Sequence, residues 1–409
     1  MNKLLLLLLI PLGLLACRSP KEAPQDPLLQ VLYSEHALIK PVVDNAEKFK
    51  LQVLFTQIDR DSAQQPHFTS HAFRLNADPY FYPASTVKFP AALLALEKLN
   101  ALNIGPWTSM LTDSAYQGQS VVTEDSTAEN GLPSVAHYSR KIFLVSDNDA
   151  FNRLYELIGQ GPFNQLLHEK GYQNTRIVHR LSVARNEAQN AHTNPVWFGT
   201  DDSLLYEQAM GINEQIFWPE GNILLGKGEI SGGELISAPK DFAHKNYFPL
   251  DNQQLMLRAT FFPESHPEHS FDLSAEDYQL IYEAMGQRPR ESDFPHYPDS
   301  TYYDGYVKFF LYGDTHEPIP TSLRIFNKVG LAYGFLTDNA YIVDFETGTE
   351  FLLSATIWTN ENQIFNDDQY EYDEIGFPFL AELGRQLYEY EKKRPKAVEP
   401  DLSRFQVFE

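Results

Sequence analysis

Three stretches in the first half of the chain carry apolar residues at helical spacing. Because residues three or four apart share one face of an α-helix, this pattern predicts helices that each bury one face. The first helix follows residue 88, the second follows Ser134, whose hydroxyl can cap it, and the third begins just after Asn148 and ends at Gly159. The apolar positions that define them are Leu93, Leu96 and Leu99, then Tyr138, Ile142 and Val145, then Leu154, Leu157 and Ile158.

Strand patterns lie near the two ends of the chain. The segments with strand-like composition are 51–58, 323–328, 341–345 and 351–358. A helix with apolar residues on one face follows them, between residues 379 and 388. We expect these strands to form one sheet with terminal helices packed on it. The helical segments from about 85 to 190 then form a second lobe, so the predicted fold class is α+β.

The N-terminus indicates export from the cytoplasm. Lys3 precedes an apolar run of 13 residues at 4–16, which is shorter than the roughly 20 residues that span a bilayer. The run ends in Leu14-Leu15-Ala16-Cys17, which resembles the bacterial lipobox, and Cys17 is the one cysteine of the chain. We therefore expect Cys17 to be lipidated after cleavage, with a plain secretory signal cut elsewhere as the alternative.

Net charge limits the partners of the mature protein. With 55 acidic against 32 basic residues, the formal charge is −23, which argues against nucleic acid or anionic lipid as a partner of the folded surface. We expect membrane contact through the lipid anchor alone, in the periplasm or at the outer membrane of a bacterial cell envelope. The expected organisation is a signal peptide at 1–17, a tether at 18–34, a domain at 35–392 with an insertion at about 195–320, and a C-terminal tail at 393–409.

Three short motifs carry candidate chemistry. They are Ser85-Thr86-Val87-Lys88, Ser146-Asp147-Asn148 and Lys328-Val329-Gly330. On a helix, residues three apart share a face, so Lys88 projects beside the Ser85 hydroxyl, and a desolvated lysine can take the proton of a serine nucleophile. The same spacing recurs at Ser237 and Lys240, but a proline between them argues against a helix there.

The order and spacing of the three motifs resemble those of the class A β-lactamases and penicillin-binding proteins. The resemblance implies a β-lactamase/transpeptidase-like fold, with an antiparallel sheet flanked by helices plus an all-helical lobe, and the active site in the groove between them. It also implies acyl transfer through a covalent ester on a serine, without a metal or cofactor.

Residue roles follow from the same resemblance. Ser85 is the implied nucleophile, Lys88 its activating amine and Ser146 the proton relay to the leaving nitrogen. Implied substrate contacts come from Asn148, Lys328 and Gly330, and the backbone N–H groups of Ser85 and Leu331 would form an oxyanion hole. The substrate would be a small molecule, either a β-lactam or a peptidoglycan-like compound.

Two positions depart from the family pattern. Val329 stands where the family has a threonine or serine that grips a substrate carboxylate. In the loop that normally carries a deacylating glutamate, alignment of Asn186 and Glu187 with the loop end places Ser182 at the glutamate position. Glu187 could replace it only in another register. Loss of a positioned general base costs about 10²–10⁴ in rate, so we expect fast acylation and slow release.

Three functions compete at this point. The first is a β-lactamase that hydrolyses its acyl-enzyme, and the second is a peptidoglycan-directed or other serine hydrolase. The third is a binding or sensor lipoprotein that acylates once, or not at all. Ser182 and Val329 favour the latter two, whereas the complete nucleophile motif favours an enzyme.

Overall fold

The computed structural model describes residues 26–77, 80–200, 203–298 and 301–408. Its helices are α1 Pro27–Leu32, α2 Lys40–Asp44, α3 Lys88–Leu102, α4 Val135–Val145, α5 Asn148–Ile158, α6 Gln160–Glu169, α7 Glu187–Ala191, α8 Leu250–Phe261, α9 Ala275–Gly286, α10 Phe309–Tyr312 and α11 Phe377–Lys393. The predicted leader and Cys17 lie outside the described residues.

The strands follow in chain order. They are β1 Gln52–Arg60, β2 Pro66–Phe73, β3 Met110–Thr112, β4 His192–Thr193, β5 Val196–Thr200, β6 Ser203–Gln208, β7 Gly211–Ile212, β8 Leu224–Leu225, β9 Gly228–Ser231, β10 Glu234–Ile236, β11 Lys240–Asp241, β12 Leu323–Ala332, β13 Phe335–Asp344, β14 Thr349–Trp358 and β15 Ile364–Phe365.

A five-stranded antiparallel sheet organises the molecule, in the order β12-β13-β14-β1-β2. The strands β12 and β13 form a hairpin closed by Tyr333 and Gly334, whose φ angles of 57° and 82° suit a two-residue turn. β12 is an edge strand of this sheet, so its outer backbone groups are available to whatever lies beside it.

The two faces of the sheet bury different partners because side chains alternate along each strand. On one face, Ile325 and Val329 of β12 join a core made with α1, α2, α10 and α11. On the other face, Phe326 joins the larger core built by α3, α4, α5, α8 and α9. The predicted α+β architecture, with terminal helices on the sheet and a helical lobe beside it, is confirmed. That lobe also carries a small sheet of β3, β5 and β6.

Both ends of the described chain pack into the fold. The segments that lie outside the fold are therefore shorter than the tether at 18–34 and the tail at 393–409 that we expected. The tether was expected to reach residue 34, but α1 begins at Pro27 and packs against α11 through Leu28 and Leu32, which are fully buried. Near the C-terminus, Phe405 packs among the rings of the larger core. Apolar side chains at these two places bury too much surface to remain in a solvated linker.

The predicted insertion contains short β-ribbons followed by α8 and α9. One ribbon, β9 and β10, forms a separate three-stranded sheet with β15, which follows β14 in the chain and pairs in parallel with β9. A third apolar cluster joins this region to the segment before α3, through Tyr82, Phe242, Trp358 and Phe365. Among the described residues, no helix combines the length and the apolar composition that crossing a bilayer requires.

Candidate active site

Ser85 lies in a 3₁₀ turn, Ala84–Val87, that runs directly into α3. The turn packs against β12 at Gly330. A Cβ atom placed on Gly330 would lie 2.3 Å from the backbone oxygen of Pro83 and 3.2 Å from the backbone nitrogen of Ser85. Only glycine therefore allows the strand to approach the nucleophile turn this closely.

Lys88, the first residue of α3, is completely buried, and its amine faces the second motif. Its Nζ donates to the backbone oxygen of Ser146, to Ser146 Oγ at 3.2 Å and to Asn148 Oδ1 at 2.7 Å. Burial lowers the pKa of Lys88 to about 7, against a weaker opposing effect of the Asp147 carboxylate. The amine can therefore lose its proton near neutral pH and become a base.

Ser146 occupies the corner between α4 and α5. Its φ of 59° is left-handed and ends α4, while the Asp147 side chain caps α5 by accepting a hydrogen bond from the Ala150 N–H at 2.8 Å. The corner places the Ser146 hydroxyl next to β12, where it accepts a hydrogen bond from Lys328 Nζ at 2.9 Å. Ser146 Oγ is thus the common acceptor of two lysines from different motifs.

Lys328 lies on the face of β12 that meets the helical lobe and is 2% exposed. Its Nζ also donates to the backbone oxygen of Val329 at 2.9 Å. Burial lowers the pKa of Lys328, and the nearby Lys88 amine lowers it further. Two amines this close together repel each other when both are charged, which favours the loss of one proton from the pair.

The side chain at position 329 points away from the groove. Val329 is 4% exposed and belongs to the core under the terminal helices, because strand alternation places it opposite Lys328. Position 329, where the family has a threonine or serine, therefore has a side chain that does not line the cavity in this protein. The Val329 carbonyl points away from β13 and accepts a hydrogen bond from Lys328 Nζ. Backbone groups of residues two apart on a strand point to the same side, so the Leu331 N–H also points away from β13.

The loop that follows the second motif brings Ser182 into the groove. Ser182 has a φ of 54°, is exposed, and its Oγ accepts a hydrogen bond from Asn148 Nδ2 at 2.8 Å. Just before it, buried Arg180 is fixed by Glu156 at 2.8 Å. The side chain of Asn148 is therefore engaged at both ends, by Lys88 and by Ser182.

The other two candidates of this loop lie elsewhere. Asn186 caps α7 in a capping box with Gln189, and Glu187 pairs with His244 at 2.6 Å across a neighbouring cavity. Neither lines the cavity that contains Ser85. The alternative register in which Glu187 serves as the deacylating base is not the one seen here.

Ser237 and Lys240 are also separate from the groove. Lys240 lies in β11, where its amine is held by Glu229, and neither residue lines the cavity at Ser85. Ser237 and Lys240 thus do not lie on a helix, as the intervening proline indicated.

A cavity of about 520 Å³ opens over Ser85. Beside Ser85, Asn148, Ser182 and Leu331, it is lined by four tyrosines and two polar residues that sequence analysis did not identify. These are Tyr82, Tyr333, Tyr370, Tyr372, Asn366 and Asp368. In the sequence, only the two tyrosines that flank Glu371 pointed to an aromatic wall of this kind. Within the described ranges, no three His, Cys, Asp or Glu side chains come together as metal ligands would.

Comparison with known proteins identifies a related family. Residues 37–209 match the model of the beta-lactamase enzyme family, Beta-lactamase2. The matched region includes Ser85, Lys88, Ser146 and Asn148 and ends before Lys328. No curated protein matches the chain.

Three of the solved structures that match the chain are as follows. A beta-lactamase from Sphaerobacter thermophilus DSM 20745 is 12% identical, with a TM-score of 0.49, and the match covers 91% of this chain and 98% of that one. PBP-A is 15% identical, with a TM-score of 0.48 and coverages of 90% and 97%. An ancestral (GNCA) class A beta-lactamase is 15% identical, with a TM-score of 0.47 and coverages of 86% and 99%. The match of residues 37–209 confirms the predicted resemblance to the β-lactamase family, and the substrate is left open.

Proposed function

From its likeness to the beta-lactamase enzyme family, we propose that this protein is a serine acyl-transfer hydrolase of the class A type that forms an ester on Ser85. One observation supports the proposal above all others. Residues from three distant parts of the chain, Lys88, Ser146 and Lys328, form a continuous hydrogen-bonded set beside the cavity that contains Ser85.

Acylation begins with the transfer of a proton. In its neutral form Lys88 takes the hydroxyl proton of Ser85, and Ser85 Oγ attacks the carbonyl carbon of an amide, ester or lactam. The backbone N–H groups of Ser85 and Leu331 stabilise the oxyanion that develops, and each such donor contributes roughly 3–4 kcal/mol in comparable sites. The bond to the leaving nitrogen or oxygen then breaks.

Ser146 delivers the proton that the leaving group needs. Its oxygen accepts hydrogen bonds from Lys88 and Lys328, so its own hydrogen is free to point toward the leaving atom. Lys88 replaces that hydrogen with the proton it took from Ser85. The net result is an acyl-enzyme, a protonated leaving group and a neutral Lys88.

Release of the acyl group is the slow step of this scheme. Ser182 has a hydroxyl where a carboxylate would activate water, and Glu187 is engaged with His244 outside the cavity. Without a positioned base, hydrolysis of the ester loses about 10²–10⁴ in rate. The same feature favours the second candidate function, a penicillin-binding or sensor lipoprotein with slow turnover, or a peptidoglycan-directed peptidase whose own substrate supplies the missing group.

The cellular setting follows from the N-terminal sequence. We propose that Cys17 carries the lipid and holds the domain at the cell envelope, as a periplasmic or outer-membrane lipoprotein. Its partner there is a small molecule, a β-lactam or a fragment of peptidoglycan, and nucleic acid is not expected to bind a surface of this charge.

The test is the intact mass of the protein during exposure to a fluorophosphonate and, separately, to a penicillin. We expect one adduct per molecule, at Ser85 in peptide mapping, and a penicillin adduct that persists for many minutes. Ser85→Ala should abolish both adducts, while the matched variant Ser237→Ala should retain them. Adducts that survive Ser85→Ala contradict the assignment, and a fluorophosphonate adduct without any β-lactam adduct restricts the function to other amides or esters.

A further inference from the structure

The cavity over Ser85 has an unusual charge distribution for a site with two lysines beside it. Of its described lining residues, Asp368 alone carries a charged side chain. Lys88 and Lys328 are buried beside it, and their amines are engaged with Ser146 and its neighbours. A molecule entering the cavity therefore meets a carboxylate before it meets any cation.

The Asp368 carboxylate is available to a ligand. Asp368 is exposed, its φ is 58°, and no hydrogen bond or ion pair of its side chain is found in the described part of the chain. It lies three residues after the short strand β15, which pairs with β9. A carboxylate held at a cavity rim without a partner attracts a positively charged group.

Four tyrosine rings line the same cavity as this carboxylate. The rings of Tyr370 and Tyr372 lie 5.2 Å apart, and those of Tyr82 and Tyr333 lie 5.0 Å apart. The hydroxyls of Tyr370 and Tyr372 are fixed, because they accept hydrogen bonds from the backbone N–H groups of Asn366 and Gly334, each at 2.8 Å. Fixed tyrosine rings beside a carboxylate are the chemistry that recognises ammonium groups.

One ring already attracts an amine. Lys240 Nζ lies 6.0 Å from the centroid of the Tyr333 ring, within the range of cation–π attraction. That amine is held by Glu229 and does not line the cavity. Tyr333 belongs to a tyrosine wall of the cavity, Tyr82, Tyr333, Tyr370 and Tyr372, and at least this ring of the wall lies within cation–π range of an amine.

We propose that Asp368 and the tyrosine wall form a cation subsite, which selects acyl substrates carrying a primary or quaternary ammonium group. The subsite rests on the proposed function, because it lies in the same cavity as Ser85. It places the cation at the rim of the cavity and the reacting carbonyl at Ser85. It predicts that, between two otherwise identical substrates, the one with the ammonium group reacts faster.

The test is competition for Ser85. The rate of fluorophosphonate labelling is followed by intact mass at constant ionic strength, with choline or its uncharged tert-butyl isostere as competitor. We expect choline to protect Ser85 at roughly fivefold to tenfold lower concentration than the isostere, and Asp368→Asn to remove most of that difference. The matched variant Asp373→Asn removes the same charge from an exposed position that does not line the cavity, and it should behave like the original protein.

A second pair of probes measures the same preference during acylation. A penicillin with an α-amino side chain should acylate the protein several times faster than the otherwise identical penicillin without the amine, and Asp368→Asn should equalise the two rates. Equal protection by choline and its isostere, with Ser85 still labelled, overturns the cation subsite alone. If the fluorophosphonate does not label Ser85, the proposed function itself fails.

Discussion

Lys88 and Lys328 donate hydrogen bonds to the same oxygen, Ser146 Oγ, at 3.2 and 2.9 Å. A hydroxyl oxygen has two lone pairs, so this arrangement occupies both and leaves the hydroxyl hydrogen to be donated into the groove. In the proposed mechanism, the two lysines thereby define the direction in which Ser146 delivers a proton. Because both amines bind this one oxygen, the protonation state of Lys88 also affects that of Lys328.

The rate of Ser85 acylation should rise with pH. Burial lowers the pKa of Lys88 to about 7, and only the neutral amine can accept the Ser85 proton. Below pH 7 the neutral fraction increases about tenfold per pH unit, and above pH 8 it is nearly complete. Acylation by a penicillin, measured by quenched-flow mass spectrometry from pH 5 to 9, should therefore climb and reach a plateau.

Two variants test whether Lys88, and not another buried lysine, determines this pH profile. Lys88→Arg keeps a permanent positive charge and should reduce acylation at every pH, since arginine does not lose its proton in proteins. Lys98 lies on the same helix and burial lowers its pKa to about 8, but it contacts Leu157 and Gln208 instead of the site. Lys98→Met should leave the pH profile unchanged, and a profile that follows Lys98 contradicts the assignment.

A carboxylate at position 182 should accelerate turnover. The original protein is expected to give a burst of product equal to the enzyme added, followed by a shallow steady rate. Ser182→Glu should increase the steady rate without a large change in the burst, because the new carboxylate lies beside Asn148 in the cavity. Ser182→Gln has the same size without a base and should leave the steady rate low. Rapid turnover of the original protein would show that another group activates water.

Replacing Gly330 should damage the site more than the fold. In Gly330→Ala the new Cβ would lie 2.3 Å from a backbone oxygen of the nucleophile turn, so strand and turn must separate. Loss of the correct oxyanion geometry should lower the acylation rate at least about 100-fold. Gly105→Ala is the matched control, since its nearest neighbour would be a side-chain atom at 3.8 Å. Equal effects of the two substitutions on acylation would contradict this explanation.

Restoring the family residue at position 329 should bring no gain. Val329 is buried in the apolar core under the terminal helices, so Val329→Thr places a hydroxyl there. The free energy of unfolding in urea should fall by about 1–3 kcal/mol. The acylation rate should stay within a factor of about two of the original rate, as for other changes remote from reacting atoms. A clear rise in that rate would mean that the side chain reaches the groove.

The lipid anchor can be tested in the bacterial cell. Cys17→Ser should move the protein from the membrane fraction to the soluble fraction after cell disruption, because the thiol is the attachment point of the lipid. Ser19→Ala, two residues further along, should remain with the membranes. Retention of the Cys17→Ser variant would show that something other than this lipid holds the protein.

Local signals in the sequence were sufficient for the motif-bearing elements. Ser134 was predicted to cap a helix, and its hydroxyl accepts a hydrogen bond from the His137 N–H at 3.1 Å. The predicted strands at 341–345 and 351–358 correspond to the longer β13 and β14. Such features depend on residues a few positions apart, which is why a single sequence reveals them.

The wall of the cavity could not be predicted in this way. Apart from the two tyrosines that flank Glu371, residues 366–372 show no periodic pattern. Their position depends on contacts between distant segments, such as the hydrogen bond from Asn366 Nδ2 to the backbone oxygen of Ile230. The direction of the Val329 side chain also required the sheet register. Nor did the spacing of Ser85 and Lys88 indicate that the lysine amine would lie against Ser146 and Asn148.

The pairing of β9 with β15 has a consequence for how such a protein can diversify. The segment that carries Asp368 and two of the tyrosines is attached to the inserted ribbon, whereas Ser85, Lys88 and Ser146 are attached to the helical lobe. Under the proposed cation subsite, mutations in the ribbon alter which molecules are admitted, while Ser85, Lys88 and Ser146 keep their places. The proposed selectivity and reactivity of the site thus depend on separate parts of the chain, and each part can change without the other.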